Sequence, residues 1–157
     1  MTLLKSLTVA AIATLAALSV PITGSALAQD VAADDIIGVW ETGDGQLKFE
    51  MFDAGETYSA RILYGARLLE ADGRTYKKDT RNPDPALQSR SLEGIVFISG
   101  LAWNEDDLRW EDGSLYQAAS GRTASARVEL DAETMNLRAY RGQPMLGRTI
   151  TLHRVAP

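Results

Sequence analysis

Along most of the chain, polar and apolar residues alternate with a period of two. Gln46, Lys48 and Glu50 interleave with Leu47, Phe49 and Met51, and Tyr58, Ala60, Ile62 and Tyr64 interleave with Ser59 and Arg61. Thr123, Ser125, Arg127 and Glu129 interleave with Ala124, Ala126, Val128 and Leu130, and Asn136 and Arg138 with Met135, Leu137 and Ala139. A strand with one wet and one dry face carries this pattern, because successive side chains point to opposite faces. Gly43-Asp44-Gly45, Asp53-Ala54-Gly55, Asp112-Gly113 and Asp131-Ala132-Glu133-Thr134 separate such runs at hairpin distance. Beyond residue 28, Ile95–Trp103 is the longest apolar run and reads as a strand buried on much of both faces. The pattern predicts eight or nine strands and no long amphipathic helix. Open sheet edges invite aggregation, so this many short strands in one small domain predicts closure. The expected fold is all-β: a small antiparallel up-and-down barrel of about eight strands.

Gly65 to Ser91 breaks the rhythm and is too long for an ordinary hairpin connection. Asn82-Pro83-Asp84-Pro85 reads as a turn, with Asp84 as N-cap and Pro85 at the first helical position. A short helix of about one to two turns is expected from Pro85 toward Arg90. Such a segment either plugs a barrel end or itself touches a ligand or partner.

The first 28 residues have a different character. Lys5 precedes an apolar core from Leu7 to Val20, Pro21 and Gly24 break it, and Ala26-Leu27-Ala28 forms an A-x-A cleavage site. The expectation is an export signal over residues 1–28, a mature chain beginning at Gln29, one domain over 29–157, and a periplasmic or secreted location. The run is short for a permanent anchor, so no integral membrane span is expected after cleavage. The leader holds one Lys and no acid, so the remaining 129 residues carry 15 basic and 21 acidic groups, a charge of −6. An acidic domain is a poor partner for nucleic acid or for anionic membrane surfaces. With no cysteine anywhere, thiolate metal sites, iron–sulfur clusters and cysteine nucleophiles are excluded, and packing alone must hold the fold.

The inventory for catalysis is thin. His153 is the only histidine and falls on the polar face beside Thr149 and Thr151, and no G-x-S-x-G elbow exists to recruit it. Asp34-Asp35, Asp106-Asp107 and Glu111-Asp112 are adjacent acids, which on a strand point to opposite faces and make poor dyads. Asp44 stands alone between glycines, without calcium-loop spacing, and there is no phosphate-binding glycine loop. The chain reads as a non-enzyme, with no cofactor and no metal expected.

Gly38-Val39-Trp40 opens the first strand, and this Gly-X-Trp resembles the entry motif of the lipocalins, small barrels that bind apolar ligands. The resemblance implies that the tryptophan closes one barrel end under a C-terminal arginine. A wider resemblance spans nearly all of residues 29–157. Gly38-Val39-Trp40, Asn82-Pro83-Asp84-Pro85-Ala86-Leu87 with Arg90, Trp110, Gly113-Ser114-Leu115-Tyr116, Ser120-Gly121-Arg122-Thr123, and Leu146-Gly147-Arg148-Thr149 with Arg154 resemble the DUF2147 family. That implies an exported bacterial protein with a lipocalin-like barrel. Gln88, Arg90-Ser91, Gln117-Ala118, Arg122 and Leu152 depart from the family's pattern. Gly38, Trp40, Asn82, Pro83, Asp84, Pro85, Gly147 and Arg154 are the expected structural residues.

In the last strand Arg148, Ile150, Leu152 and Arg154 share one face. If an even number of strands closes the barrel, Trp40 meets Arg154, and Arg148 lies near the other end. Arg148 there would pair with the Asp79–Asp84 loop or meet an acidic head group. Arg148, Tyr64, Trp103 and Trp110 are the candidate ligand-contact residues. Two functions remain open. One is non-catalytic binding of a small apolar or acidic amphipathic molecule in the envelope. The other is a filled-barrel interaction or structural module, with Phe49, Phe97, Trp103, Trp110 and Tyr116 filling the lumen. No protein partner is named by the sequence. Export has a direct check: the protein in a periplasmic extract should have the intact mass of residues 29–157, and full-length chain in the membrane fraction would contradict it.

Overall fold

The computed structural model describes residues 31–156; the expected leader over 1–28 lies outside the described residues. Eight strands follow one another: β1 (Gly38–Thr42), β2 (Leu47–Asp53), β3 (Tyr58–Gly65), β4 (Val96–Asn104), β5 (Arg109–Gln117), β6 (Arg122–Asp131), β7 (Thr134–Tyr140) and β8 (Arg148–Arg154). Each pairs antiparallel with the next, and β8 returns to β1 to close the barrel, with Trp40 opposite Arg154 and Thr42 opposite Leu152. Four single 3-10 turns punctuate it: η1 (Ala33–Ile36), η2 (Ala66–Leu68), η3 (Pro85–Leu87) and η4 (Pro144–Leu146). Among the described residues no helix is long and apolar enough to cross a membrane.

The period-two pattern sets which side chains enter the barrel, and bulges reset it locally. Along β2 and β3, Lys48 pairs with Tyr64 but Phe49 pairs with Ile62, so Leu63 is an extra residue on β3. That slip turns Tyr64 out beside Lys48, where it is exposed. The alternation alone placed Tyr64 with Ile62. A second bulge corrects the expected Asp112-Gly113 turn. Both residues lie inside β5, where the register shifts between Trp110 and Gly113 and Asp112 takes a left-handed φ of +60°. The hairpin turn comes earlier, where the Asn104 carboxamide oxygen accepts from the Asp106 and Asp107 amides. Strand β4 is buried at Phe97, Ile98 and Leu101 but exposes Val96 and Ser99, so the run expected to be buried on both faces mostly has one dry face.

One barrel end is closed by η1. Its free carbonyls are gathered by side chains from three strands. Trp40 Nε1 donates to Ile36 O (2.9 Å), Trp110 Nε1 donates to Ala33 O (3.0 Å), and the Arg154 guanidinium donates to Ile37 O (2.9 Å) and Asp35 O. The Tyr58 hydroxyl donates to Asp34 (2.6 Å). The Arg154 guanidinium also stacks 4.3 Å above the Trp40 ring. Gly38 leaves room for it: φ is +133°, and a Cβ there would sit 2.8 Å from Arg154 Nη1. Above this plug Phe49, Met51, Ile98, Leu101, Val128, Met135, Leu137 and Leu152 are essentially inaccessible. Phe49 meets Phe97 at 5.3 Å and Tyr58 meets Trp110 at 6.5 Å, contacts between strands two apart, and every one of the eight strands contributes a buried side chain to a single apolar cluster. Side chains therefore fill the barrel.

Trp40→Ala removes a fully buried indole, its hydrogen bond and the surface under Arg154. It should lower stability by about 3–5 kcal/mol, read from the urea midpoint. An unchanged midpoint would show that Trp40 does not hold the closed end.

Candidate functional site

The opposite end of the barrel carries the long connection. Residues 66–95 fold over it through two short ladders, Leu69 with Tyr76 and Lys78 with Ser91, and bury Leu69, Leu92 and Ile95. Beneath the strap lies a carboxylate. Asp79 is 1 % exposed, and its oxygens accept from Tyr116 Oη (2.5 Å), Asn82 Nδ2 (2.8 Å), and Arg90 Nε (3.0 Å) and Nη2 (2.8 Å). An isolated buried charge is costly, and four charge-assisted bonds compensate it. Tyr116 projects from β5, so this network ties the strap to the wall. The Arg90 guanidinium also lies 6.0 Å from the centre of the Tyr116 ring.

The Asn-Pro-Asp-Pro string supplies the rest of the latch. The Asn82 side-chain oxygen accepts from the Asp84 amide (2.9 Å), and Gln88 Nε2 donates to Asn82 O (2.9 Å). The Asp84 carboxylate accepts from the Ala86 amide (2.9 Å), the expected cap, with Pro85 at the first position. The expected helix of one to two turns is only the single 3-10 turn Pro85–Leu87. It lies on the surface; Asp79 and Asn82 are the buried polar members of the strap. Gly121 completes the fit. Its φ is +68°, and a Cβ there would overlap the Arg81 carbonyl oxygen, so the β5–β6 turn touches the strap through bare backbone. The string at 82–87, Arg90, Tyr116 and Gly121 thus converge around Asp79. The sequence marks Asp79 only as one end of the Asp79–Asp84 loop expected to pair with Arg148; its burial and its bond to Arg90 come from the path of the strap.

Arg148 does not join this network. Arg90 holds Asp79, and Arg148 stands exposed at the rim, opposite Ala139. Gly147 before it is required by close packing, since a Cβ would sit 2.7 Å from Ala139 O. The four candidate ligand-contact residues also do not share a pocket. Trp103 and Trp110 stack at the closed end, 4.6 Å between ring centres, with Trp110 fully buried and bonded to η1. Tyr64 is on the outer face near the open end. Two depressions lie along β5–β8. One of about 400 Å³ has Ser114, Ser125, Tyr140 and Arg141 in its lining, and one of about 250 Å³ is lined by Arg127, Glu129, Asn136, Arg138 and Thr149. The register rows Ser114–Ser125–Tyr140 and Arg127–Arg138–Thr149 put both on the outer wall.

A closed eight-stranded antiparallel barrel, plugged by an N-terminal turn under a Trp–Arg stack, defines a lipocalin-like protein, a class compatible with small-molecule binding. The likeness extends to a solved structure, HP1028 from the human pathogen Helicobacter pylori, described as belonging to the lipocalin family. The two share 25 % identity and superpose with a TM-score of 0.64 over 77 % of this chain and 83 % of that one. Residues 38–154 match the family described as an uncharacterized protein conserved in bacteria, DUF2147, and the chain belongs to that family. Among curated proteins none matches the chain.

The latch has a pH signature. Burial pushes the Asp79 carboxyl up, but the bonds from Tyr116, Asn82 and Arg90 outweigh it and hold the group below its ordinary 3.8. Burial and the bond to Asp79 push the Tyr116 hydroxyl up to about 12. A lowered carboxyl contributes stability above its unfolded pKa and loses it as pH falls through the folded value. A raised phenol contributes below its unfolded pKa of 10.0 and loses it as pH rises toward about 12. Tyr116→Phe should cost about 1–3 kcal/mol at neutral pH. It should also reduce the loss of stability between pH 10 and 12, with Tyr58 and Tyr76, both raised by burial, contributing to what remains. Urea midpoints across that range check both; parallel curves for the two proteins would show that the phenol is not engaged.

Proposed function

We propose that this protein is an exported, non-catalytic component of the bacterial cell envelope, a packed barrel that binds through its exterior as a structural or interaction module. The observation that carries this reading is the interior. The inward side chains that would line a ligand cavity are buried in one apolar cluster drawn from all eight strands, and the depressions lie on the outer wall. Export is supported by the leader pattern of residues 1–28, and a bacterial setting by family membership. The absence of a catalytic role is supported by side chains already engaged elsewhere. Asp34 holds the Tyr58 hydroxyl, Asp35, Asp44 and Asp84 serve turns and caps, Asp79 is saturated, and His153 is an exposed residue on the outer face of β8.

A second reading, a carrier of a small acidic amphiphile, rests on the barrel class and on Arg148. The guanidinium stands exposed at the rim, and Ala139 and Ile150 are half-buried on the same inward row. The carboxylate would pair with Arg148 while the tail enters the mouth. Calorimetry of delipidated protein with fatty acids of increasing chain length separates the two. The packed barrel predicts no binding heat and no shift in Tm at any length. Saturable binding that falls on Arg148→Ala would replace the module with the carrier.

A further inference from the structure

The charges of this barrel are sorted by end. At the closed end, the segments 31–37, 54–57, 105–108 and 132–133 hold seven acidic residues and no basic one. At the open end, the segments 43–46, 66–95, 118–121 and 141–147 hold seven basic and six acidic. The basic excess of the open end is concentrated at the β7–β8 turn: no Asp or Glu occurs after Glu133, while Arg138, Arg141 and Arg148 surround that turn. Arg154, at the far end of β8, is paired with Glu133 at the closed end. Arg141 and Arg148 flank η4 and are exposed, as is Arg122 on the neighbouring strand at the same end. None of the three is in a salt bridge among the described residues. Asp112 is the acid that lines the depression beside Arg141.

Between Arg141 and Arg148 the chain displays apolar surface. Met145 is 77 % and Leu146 79 % exposed, the two most exposed large apolar side chains among the described residues. They are not carried on a loose tip. Arg138 reaches from β7 under the turn, donating to Pro144 O (2.6 Å), Met145 O (3.0 Å) and Thr149 Oγ1 (2.8 Å). Pro144 fixes the first position of η4 and Gly147 lets the chain return tightly to β8. A guanidinium spent on holding two apolar side chains in water calls for a surface that receives them.

We propose that the β7–β8 turn docks the open end of the barrel on an anionic phospholipid surface. Met145 and Leu146 enter the interfacial layer, and Arg141, Arg148 and Arg122 meet lipid phosphates. The charge sorting makes the contact directional: an anionic surface attracts this turn and repels the closed end, although the whole chain is acidic. This inference rests on the reading of the protein as an exterior-binding envelope module and names the surface that it meets.

Sedimentation with vesicles tests it. The protein should bind vesicles of equal parts phosphatidylglycerol and phosphatidylcholine in dilute salt, and bind at least tenfold more weakly to phosphatidylcholine alone or in high salt. Met145→Ser with Leu146→Ser, and separately Arg141→Gln with Arg148→Gln, should each weaken binding to the anionic vesicles about tenfold or more, with unchanged melting showing that both variants fold. Binding of the native protein equal on the two vesicle types, no binding to either, or variants that bind like the native protein would overturn the proposal. So would a concentration-dependent dimer abolished by Met145→Ser with Leu146→Ser, which would make a second copy the occupant. A short-chain phosphatidylglycerol below its micelle concentration distinguishes the sources of the head group. Saturable binding of that monomer would overturn both the docking and the packed-module reading in favour of a carrier. Loss of vesicle binding alone would leave the packed module standing.

Discussion

The stack of Arg154 on Trp40 is where this chain becomes a barrel. Strands β1 and β8 are separated by the whole domain in sequence, and closure requires them to find each other without a turn to set the register. The indole and the guanidinium set it. Both belong to an inward row, both donate to η1 carbonyls, and together they convert an N-terminal segment with unpaired backbone into a plug. A one-residue slip between β1 and β8 would turn one of the pair outward and leave those carbonyls buried without donors. Gly38 belongs to the same device, because the arginine passes where its side chain would be. The Gly-X-Trp motif and the distant arginine are thus one structural unit.

The other end is organised by charge rather than by an apolar plug. A strap as long as residues 66–95 loses much conformational entropy on ordering and buries few large side chains. Asp79 offsets this by demanding partners: once the strap covers it, Tyr116, Asn82 and Arg90 must all be in place, since a missing donor leaves a buried carboxylate undersatisfied. The network therefore selects one arrangement of the strap. The tight turn at Gly121 closes on the same spot from the β5–β6 side.

With one end plugged, the other strapped and the middle packed, the accessible charged and apolar side chains are those of the outer wall and the rim. The outer wall pairs many of its charges, as in Glu50 with Arg61 and Glu41 with Lys48. The rim beside η4 does not, and displays its arginines and apolar side chains on a braced turn. A fold class that accommodates small ligands is here built with its interior already occupied.

Much of this was legible in the order of residues. Strand alternation is a local consequence of the pleat, so period two marks the strands and their inward faces, and strand number implies closure. The Trp40–Arg154 meeting followed from parity once closure was assumed, and the Asp84 cap followed from local backbone chemistry. Other features depended on tertiary structure. A bulge is decided by the partner strand, so the out-turning of Tyr64 and the place of Asp112-Gly113 inside β5 could not be read from their own neighbours. How full a barrel interior is depends on which side chains from different strands meet inside it, and Trp110 is bonded there to the carbonyl of Ala33 in the plug. The partner of Asp79 was decided by the path of the strap, which puts Arg90 eleven residues away within reach and leaves Arg148 at the rim. Alternation fixes which way a side chain faces; only the closed barrel decides what it meets there.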